Sequence, residues 1–121
     1  MPIVRIDVTG PKPPEYKRAL LAGARRAVVS ALGVGDERVT VRVIETPAAC
    51  VDVPSCRTER FTVVEVLLYE GRTEELKRGL VKALRDAFAA DPGVEECEVS
   101  VFINDAPPLD LDVLSGQADA D

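Results

Sequence analysis

The sequence has 121 residues, of which 46% are hydrophobic and 30% charged, a size and balance that suit one globular domain. A net charge of −6 argues against nucleic acid or an anionic membrane as the main partner. The absence of histidine rules out Ser-His-Asp and Cys-His machinery and removes the commonest metal ligand.

No apolar run approaches the ~18 residues of a membrane span, and no charged-then-apolar leader opens the chain. A soluble, cytoplasmic protein is therefore expected. The three cysteines, Cys50, Cys56 and Cys97, form no CxxC pair. They read as free thiols, with a redox or nucleophilic role for Cys50 or Cys56 as the alternative.

The chain begins Met1-Pro2-Ile3-Val4-Arg5-Ile6. A small residue after Met1 permits its removal, which leaves Pro2 as a free secondary amine with a fixed φ. Such an α-amine has a reference pKa of about 7.7–8.0, and nearby cations or burial lower it. From Pro2 to Val8 the residues alternate, with Val4, Ile6 and Val8 on one face, which is strand periodicity. A turn from Thr9 to Pro14 follows. Tyr16, Leu20, Ala24, Ala27 and Ala31 then recur at helical spacing, and Gly33 stops the helix. Val39 to Ile44 reads as a second strand, with Val39, Val41 and Val43 inward.

Displaced by sixty places, the sequence matches itself without a gap. Val4 falls on Val64, Lys17 on Lys77, Leu20 on Leu80, Arg25 on Arg85, Gly33 on Gly93, Val41 on Val101 and Asp52 on Asp112. Residues 2–55 and 62–115 are thus read as two copies of one unit, followed by a short acidic tail, 116–121. The second copy predicts a strand over Thr62 to Tyr69 and a turn at Glu70-Gly71-Arg72-Thr73. Its helix carries Leu76, Leu80, Ala83, Leu84, Ala87 and Phe88 inward and is capped by Thr73. A last strand covers Val99 to Ile103.

The pattern is βαβ, linker, βαβ. The expected fold class is α+β: duplicated βαβ units form one four-stranded sheet with both helices on one face. The opposite face would carry Arg5, Asp7, Thr40, Arg42, Glu65, Ser100, Phe102 and Asn104. It would either stand in water or face other subunits and a polar pocket.

The proline start and the block Glu70-Gly71-Arg72-Thr73-Glu74-Glu75-Leu76-Lys77 resemble the tautomerase superfamily, typified by 4-oxalocrotonate tautomerase. The duplication resembles its fused branch, which includes malonate semialdehyde decarboxylase and cis-3-chloroacrylic acid dehalogenase. The resemblance spans about residues 2–116 and implies a tautomerase/MIF-like fold and a homotrimer with a barrel-like centre. It also implies a cofactor-independent enzyme acting on a small carboxylate-bearing substrate.

By that resemblance Pro2 is the general acid/base, and Arg72 binds the substrate carboxylate and draws electrons toward it. Arg42, in Val41-Arg42-Val43-Ile44, matches a second arginine of the tautomerase branch. Two guanidiniums can hold a carboxylate bidentately and lower the proline amine's pKa. Solvated or ion-paired surface charges are the alternative meaning of both arginines.

The departures are specific. Lys12 stands where the first turn would have arginine, and could attract a carboxylate without forming a planar fork. Glu70 and Tyr69 occupy places where the decarboxylase and dehalogenase branches carry further arginines. Glu37, or Asp36, lies near the decarboxylase's water-activating acid, though a hydrophilic turn is the alternative. Phe102 can pack against a substrate but cannot donate a proton. Leu111 and Val113 replace an aromatic pair.

The expected activity is keto-enol tautomerisation of a small 2-oxo or enol acid. Pro2 and Arg72 would be catalytic, with Arg42, Lys12, Glu37 and Phe102 binding substrate. Hydration, decarboxylation or dehalogenation of a three-carbon acid is the second expectation. A non-catalytic structural or ligand-binding subunit is the third.

Overall fold

The computed structural model describes residues 1–107. The readings that concern Leu111, Val113 and the tail 116–121 lie outside the described residues. The first copy forms β1 (Ile3–Gly10), α1 (Pro14–Leu32) and β2 (Thr40–Pro47). The second forms β3 (Thr62–Tyr69), α2 (Glu74–Ala90) and β4 (Val99–Ala106). The four strands make one sheet in the order β2-β1-β3-β4. Each copy pairs its own strands in parallel, and β1 meets β3 antiparallel. The expected α+β fold of two βαβ units is what the chain adopts.

Period-two alternation sets the inner face. Val4, Ile6 and Val8 of β1 and Val64, Val66 and Leu68 of β3 are buried against both helices. Leu20, Ala24, Ala27 and Val28 of α1 and Leu80, Leu84 and Phe88 of α2 complete the core. The helices touch where Gly23 faces Ala87 and Phe88; a β-carbon at Gly23 would already sit 3.5 Å from that of Ala87. Burying a side chain such as Leu84 or Phe88 stabilises the fold by about 1.5–3 kcal/mol.

The helix ends follow local chemistry. Gly33, at φ 68°, ends α1 in the left-handed conformation that a side chain disfavours, and its N–H donates to the Val29 carbonyl. Pro14 opens α1, where a missing N–H leaves no intrahelical bond unmade. The Thr73 side chain caps α2 by accepting from the Leu76 N–H at 3.2 Å.

Three expectations need correction. Leu76 is 39% exposed, because it lies in the first turn of α2 and the buried stripe starts one turn later at Leu80. Val28 is fully buried although the apolar pattern of α1 did not single it out. The strands also run further than their apolar alternation. Pairing continues to Gly10 opposite Pro47 and Tyr69 opposite Ala106, where backbone hydrogen bonding rather than side-chain burial sustains the ladder.

Among the described residues no helix is long and apolar enough to cross a membrane.

Candidate active site

Pro2 is buried at the head of β1, and its carbonyl accepts the Thr40 N–H at 3.1 Å. The start of β2 therefore lies beside it. On the other side β3 runs the opposite way, with Leu67 facing Ile3. That register carries Leu68, Tyr69 and the turn Glu70-Gly71-Arg72 to the same end of the sheet as Pro2. The turn is held there by the Glu70 N–H, which donates to the Ala106 carbonyl at 3.0 Å. Gly71 adopts φ 117°, a conformation open to glycine and strained for other residues. Arg72 follows, half-buried. Antiparallel pairing of the two copies thus brings the first copy's head and the second copy's arginine turn together.

One row of the outer face reads Arg42, Arg5, Glu65 and Phe102 across the four strands. Arg5 is neutralised by Asp7, with Nε 3.3 Å from Oδ2. Arg42 is exposed, and among the described residues no ion pair or hydrogen bond engages its side chain. Phe102 is 55% exposed at the far end of the row. Three strand spacings of ~4.8 Å separate Arg42 from Phe102, about 14 Å in all. One chain does not bring these two residues together.

Glu37 sits in a single 3-10 turn, Asp36–Arg38, which feeds β2 at the Pro2 end. It is exposed, and its carboxylate folds back over Gly35, where a β-carbon would lie 2.3 Å from Oε1. Its neighbour Asp36 is held by α1, because Arg25 Nη1 donates to the Asp36 carbonyl at 2.7 Å.

Lys12 lies elsewhere. The eight residues of β1 span about 23 Å, and Lys12 follows the far end of that strand. Its Nζ donates to the Glu59 carbonyl at 3.0 Å and stands 5.2 Å from the centre of the Tyr16 ring. Its backbone N–H donates to Glu45 Oε2 at 2.5 Å. Lys17 Nζ reaches the other Glu45 oxygen at 3.1 Å, and the backbone bond from Lys12, then Lys17, holds the Glu45 carboxyl below its usual range. The Glu45 side chain fills the space a β-carbon would take at Gly10. Within one chain, Lys12 is thus a turn residue remote from Pro2.

Thr62, the counterpart of Pro2, stands at that far end. It is fully buried, and its hydroxyl donates to the Arg60 carbonyl at 2.9 Å. The linker before it is strapped down by Glu98, whose carboxylate accepts from the Thr58 hydroxyl at 2.7 Å and from the Thr58 N–H at 3.2 Å. These bonds outweigh partial burial and lower the Glu98 pKa.

Sequence reasoning missed Glu45 and Glu98. Glu45 had a signal: its counterpart under the sixty-place shift is Asp105, which pairs with Lys77 as Glu45 pairs with Lys17. Glu98 replaces Arg38 in the repeat, so only the fold reveals its role. Also missed were Ile3, Leu67, Ile44 and Val63, aliphatic residues placed by the register on the nominally polar face.

The cysteines are free and exposed, and Arg57 Nη1 donates to Cys56 Sγ at 3.3 Å. Among the described residues no group of three or more His, Cys, Asp or Glu could hold a metal ion.

Two matching grooves run between each helix and its edge strand. One, about 480 Å³, is lined by Arg18, Leu21, Ala22, Arg25 and Val41; the other, about 380 Å³, by residues that include Arg78, Val81 and Val101. Neither is lined by Pro2 or Arg72.

Two family models, both described as tautomerase enzyme, match the chain, one over residues 2–51 and the other over residues 53–111. No curated protein matches the sequence. Among solved structures, a fused 4-OT that forms a symmetric trimer is 32% identical, with a TM-score of 0.78, 89% of this chain covered and 88% of the other. Pt0534, inactivated by 2-oxo-3-pentynoate, is 30% identical with a TM-score of 0.74, covering 88% of this chain and 86% of its own. FG41 malonate semialdehyde decarboxylase, inhibited by 3-bromopropiolate, shares the fold at a TM-score of 0.83 and 20% identity, with 95% of this chain and 96% of that one covered. The matches to both halves, the duplicated fold and the 32% identity together place this chain in the tautomerase superfamily, in its fused two-unit form.

Proposed function

We propose that the protein is a cofactor-independent tautomerase of small 2-oxo or enol carboxylic acids, with Pro2 as its general acid/base. One observation carries this reading. The antiparallel β1–β3 register brings Pro2 and the Arg72 turn to one end of the sheet. Removal of Met1 exposes the Pro2 amine. Its reference pKa of about 7.7–8.0 is lowered by the guanidiniums of Arg72 and Arg42, so a neutral base is available near pH 7. The neutral amine takes the enol hydroxyl proton and becomes an ammonium. It then returns a proton to the substrate carbon as the ketone forms, so the net change is one proton moved from oxygen to carbon. Arg72 holds the carboxylate and stabilises the charge that develops on the conjugated oxygens.

Arg42 and Phe102 sit on opposite edge strands, so they can share a pocket only across a subunit boundary. A homotrimer supplies such boundaries, and fused 4-OT relatives form symmetric or asymmetric trimers. Hydration or decarboxylation of a three-carbon acid is the second reading. It is favoured by Glu37, an exposed carboxylate at the Pro2 end where it could activate water.

The test is a panel of substrates run on wild type, Pro2→Ala and Arg72→Ala, with intact mass measured beside it. Turnover of phenylenolpyruvate that depends on Pro2 and Arg72 is expected. Release of carbon dioxide from malonate semialdehyde in its place would select the second reading. Retained Met1, or activity that survives Pro2→Ala, would overturn proline catalysis. A folded oligomer without any turnover would make the protein a binding or structural member.

A further inference from the structure

We infer that Phe102 stacks on the guanidinium of the partner subunit's Arg42. The pair closes the trimer with every subunit in the same sense and aims Arg42 at the substrate carboxylate. This rests on the reading above, in which the two residues share a pocket across a subunit boundary. It adds the contact between them and a positioning role for Phe102.

The two residues hold the same place in the two copies, sixty positions apart, at opposite ends of the row Arg42, Arg5, Glu65 and Phe102. Both lie on edge strands, β2 and β4. Directly across from Arg42 stands a like charge, Arg5, itself paired with Asp7. Among the described residues, no group of its own chain holds the Arg42 guanidinium. At the other edge Phe102 is 55% exposed, and Leu76 is the only other exposed large hydrophobic side chain among the described residues. Each edge thus presents a group that its own chain leaves uncovered, and the two groups are complementary.

Three subunits with two unlike edges close a ring in one of two ways: all in one sense, or with one reversed. In the first, every boundary joins a β2 edge to a β4 edge. In the second, one boundary joins β2 to β2 and another joins β4 to β4. Because Arg42 and Phe102 lie on one row, subunits set side by side at one level bring that row's ends together. The first closure then sets Arg42 against Phe102 at all three boundaries. The second sets Arg42 against Arg42 at one of them. A guanidinium over a ring face is attracted, whereas two guanidiniums repel.

The stacked geometry also suits the pocket. Stacking uses the face of the guanidinium and leaves its N–H edge free for a bidentate carboxylate. Phe102 thereby restricts a long side chain to the orientation that substrate needs.

The experiment is a double-mutant cycle read by subunit association. Sedimentation over a dilution series compares wild type, Phe102→Lys, Arg42→Glu and the variant with both changes. Phe102→Lys sets like charges together and should raise the subunit dissociation constant by about tenfold or more. Adding Arg42→Glu should restore association, because the pair becomes a salt bridge. A second arm reads KM for phenylenolpyruvate. Phe102→Leu should raise KM about three- to tenfold with kcat within about twofold, and Phe102→Trp should stay near wild type. In an Arg42→Met background, Phe102→Leu should change KM no further.

Wild type that sediments as a single chain, or a double variant that associates no better than Phe102→Lys, would overturn the inference. So would Leu and Trp variants with the same KM. None of these results touches proline catalysis. If no variant, wild type included, turns over the substrate, the tautomerase reading fails, and the association cycle alone decides whether the two residues meet.

Discussion

The two ends of the sheet are built from the same repeat and do different things. At one end Pro2, the start of β2 and the Arg72 turn converge. At the other stand Thr62, the start of β4 and the Lys12 turn. At the second end the polar groups are spent on holding the chain. Lys12 binds the Glu59 carbonyl, Thr62 binds the Arg60 carbonyl, and Glu98 grips Thr58. At the first end Pro2 heads its strand, Arg42 makes no ion pair among the described residues, and Glu37 is exposed. Duplication supplied two equivalent frames. Side-chain replacement turned one into a structural clasp, while the other carries the groups proposed to be catalytic.

The largest expected effect tests the two strand heads. Pro2→Ala should lower kcat for phenylenolpyruvate by about 10²–10⁴-fold, the usual range for a general acid/base, without altering thermal stability. Thr62→Ala should leave kcat within about twofold and lower Tm, because it removes a buried hydroxyl's bond to Arg60. Comparable loss of rate in both variants would break the comparison.

The two turns come next. Arg72→Ala should cost about 10²-fold in kcat/KM, as expected when a charge-stabilising donor is lost. Lys12→Met should leave kcat/KM nearly unchanged and lower the urea midpoint, because the Glu59 contact is lost. A smaller difference belongs to the helix starts. Thr73→Ala should cost about 1 kcal/mol in urea denaturation. Pro13→Ala should cost less, since Pro13 caps α1 without a side-chain bond.

The subtlest effect is acidic loosening of the clasp. The hydrogen bonds from Thr58 lower the Glu98 pKa in the folded state. Their stabilisation is therefore complete above the unfolded value of about 4.3 and is lost as pH falls through the folded value. Urea midpoints measured from about pH 7 down to pH 3 should fall on the acid side, and Glu98→Gln should flatten that slope. An unchanged slope would remove Glu98 from the account.

Much of the fold was legible because it rests on local periods. Val4, Ile6 and Val8 alternate, Leu80, Leu84 and Phe88 recur each turn, and the repeat exposed both units at once. The outer face was only half legible. Ile3, Val63 and Leu67 are apolar yet lie opposite the core, and period alone does not say what covers them. The meeting of Pro2 and Arg72 could be suspected from the repeat but not placed, because it depends on long-range antiparallel pairing of β1 with β3. The place of Lys12 was hidden for the same reason: the turn's sequence suits an anion, while the register decides which end of the strand it reaches, and within one chain that is the end away from Pro2. The Glu98 clasp has no counterpart in the first copy, so the repeat could not reveal it.

The central claim is that one sheet end per chain is catalytic and that Pro2 supplies its amine. The most direct measurement treats the purified protein with the acetylenic acid 2-oxo-3-pentynoate and maps the adduct by peptide mass spectrometry. The account predicts loss of Met1, one adduct per chain located on Pro2, and loss of activity in proportion to labelling. A retained Met1, or an adduct at the Thr62 and Lys12 end with Pro2 unmodified, would contradict it.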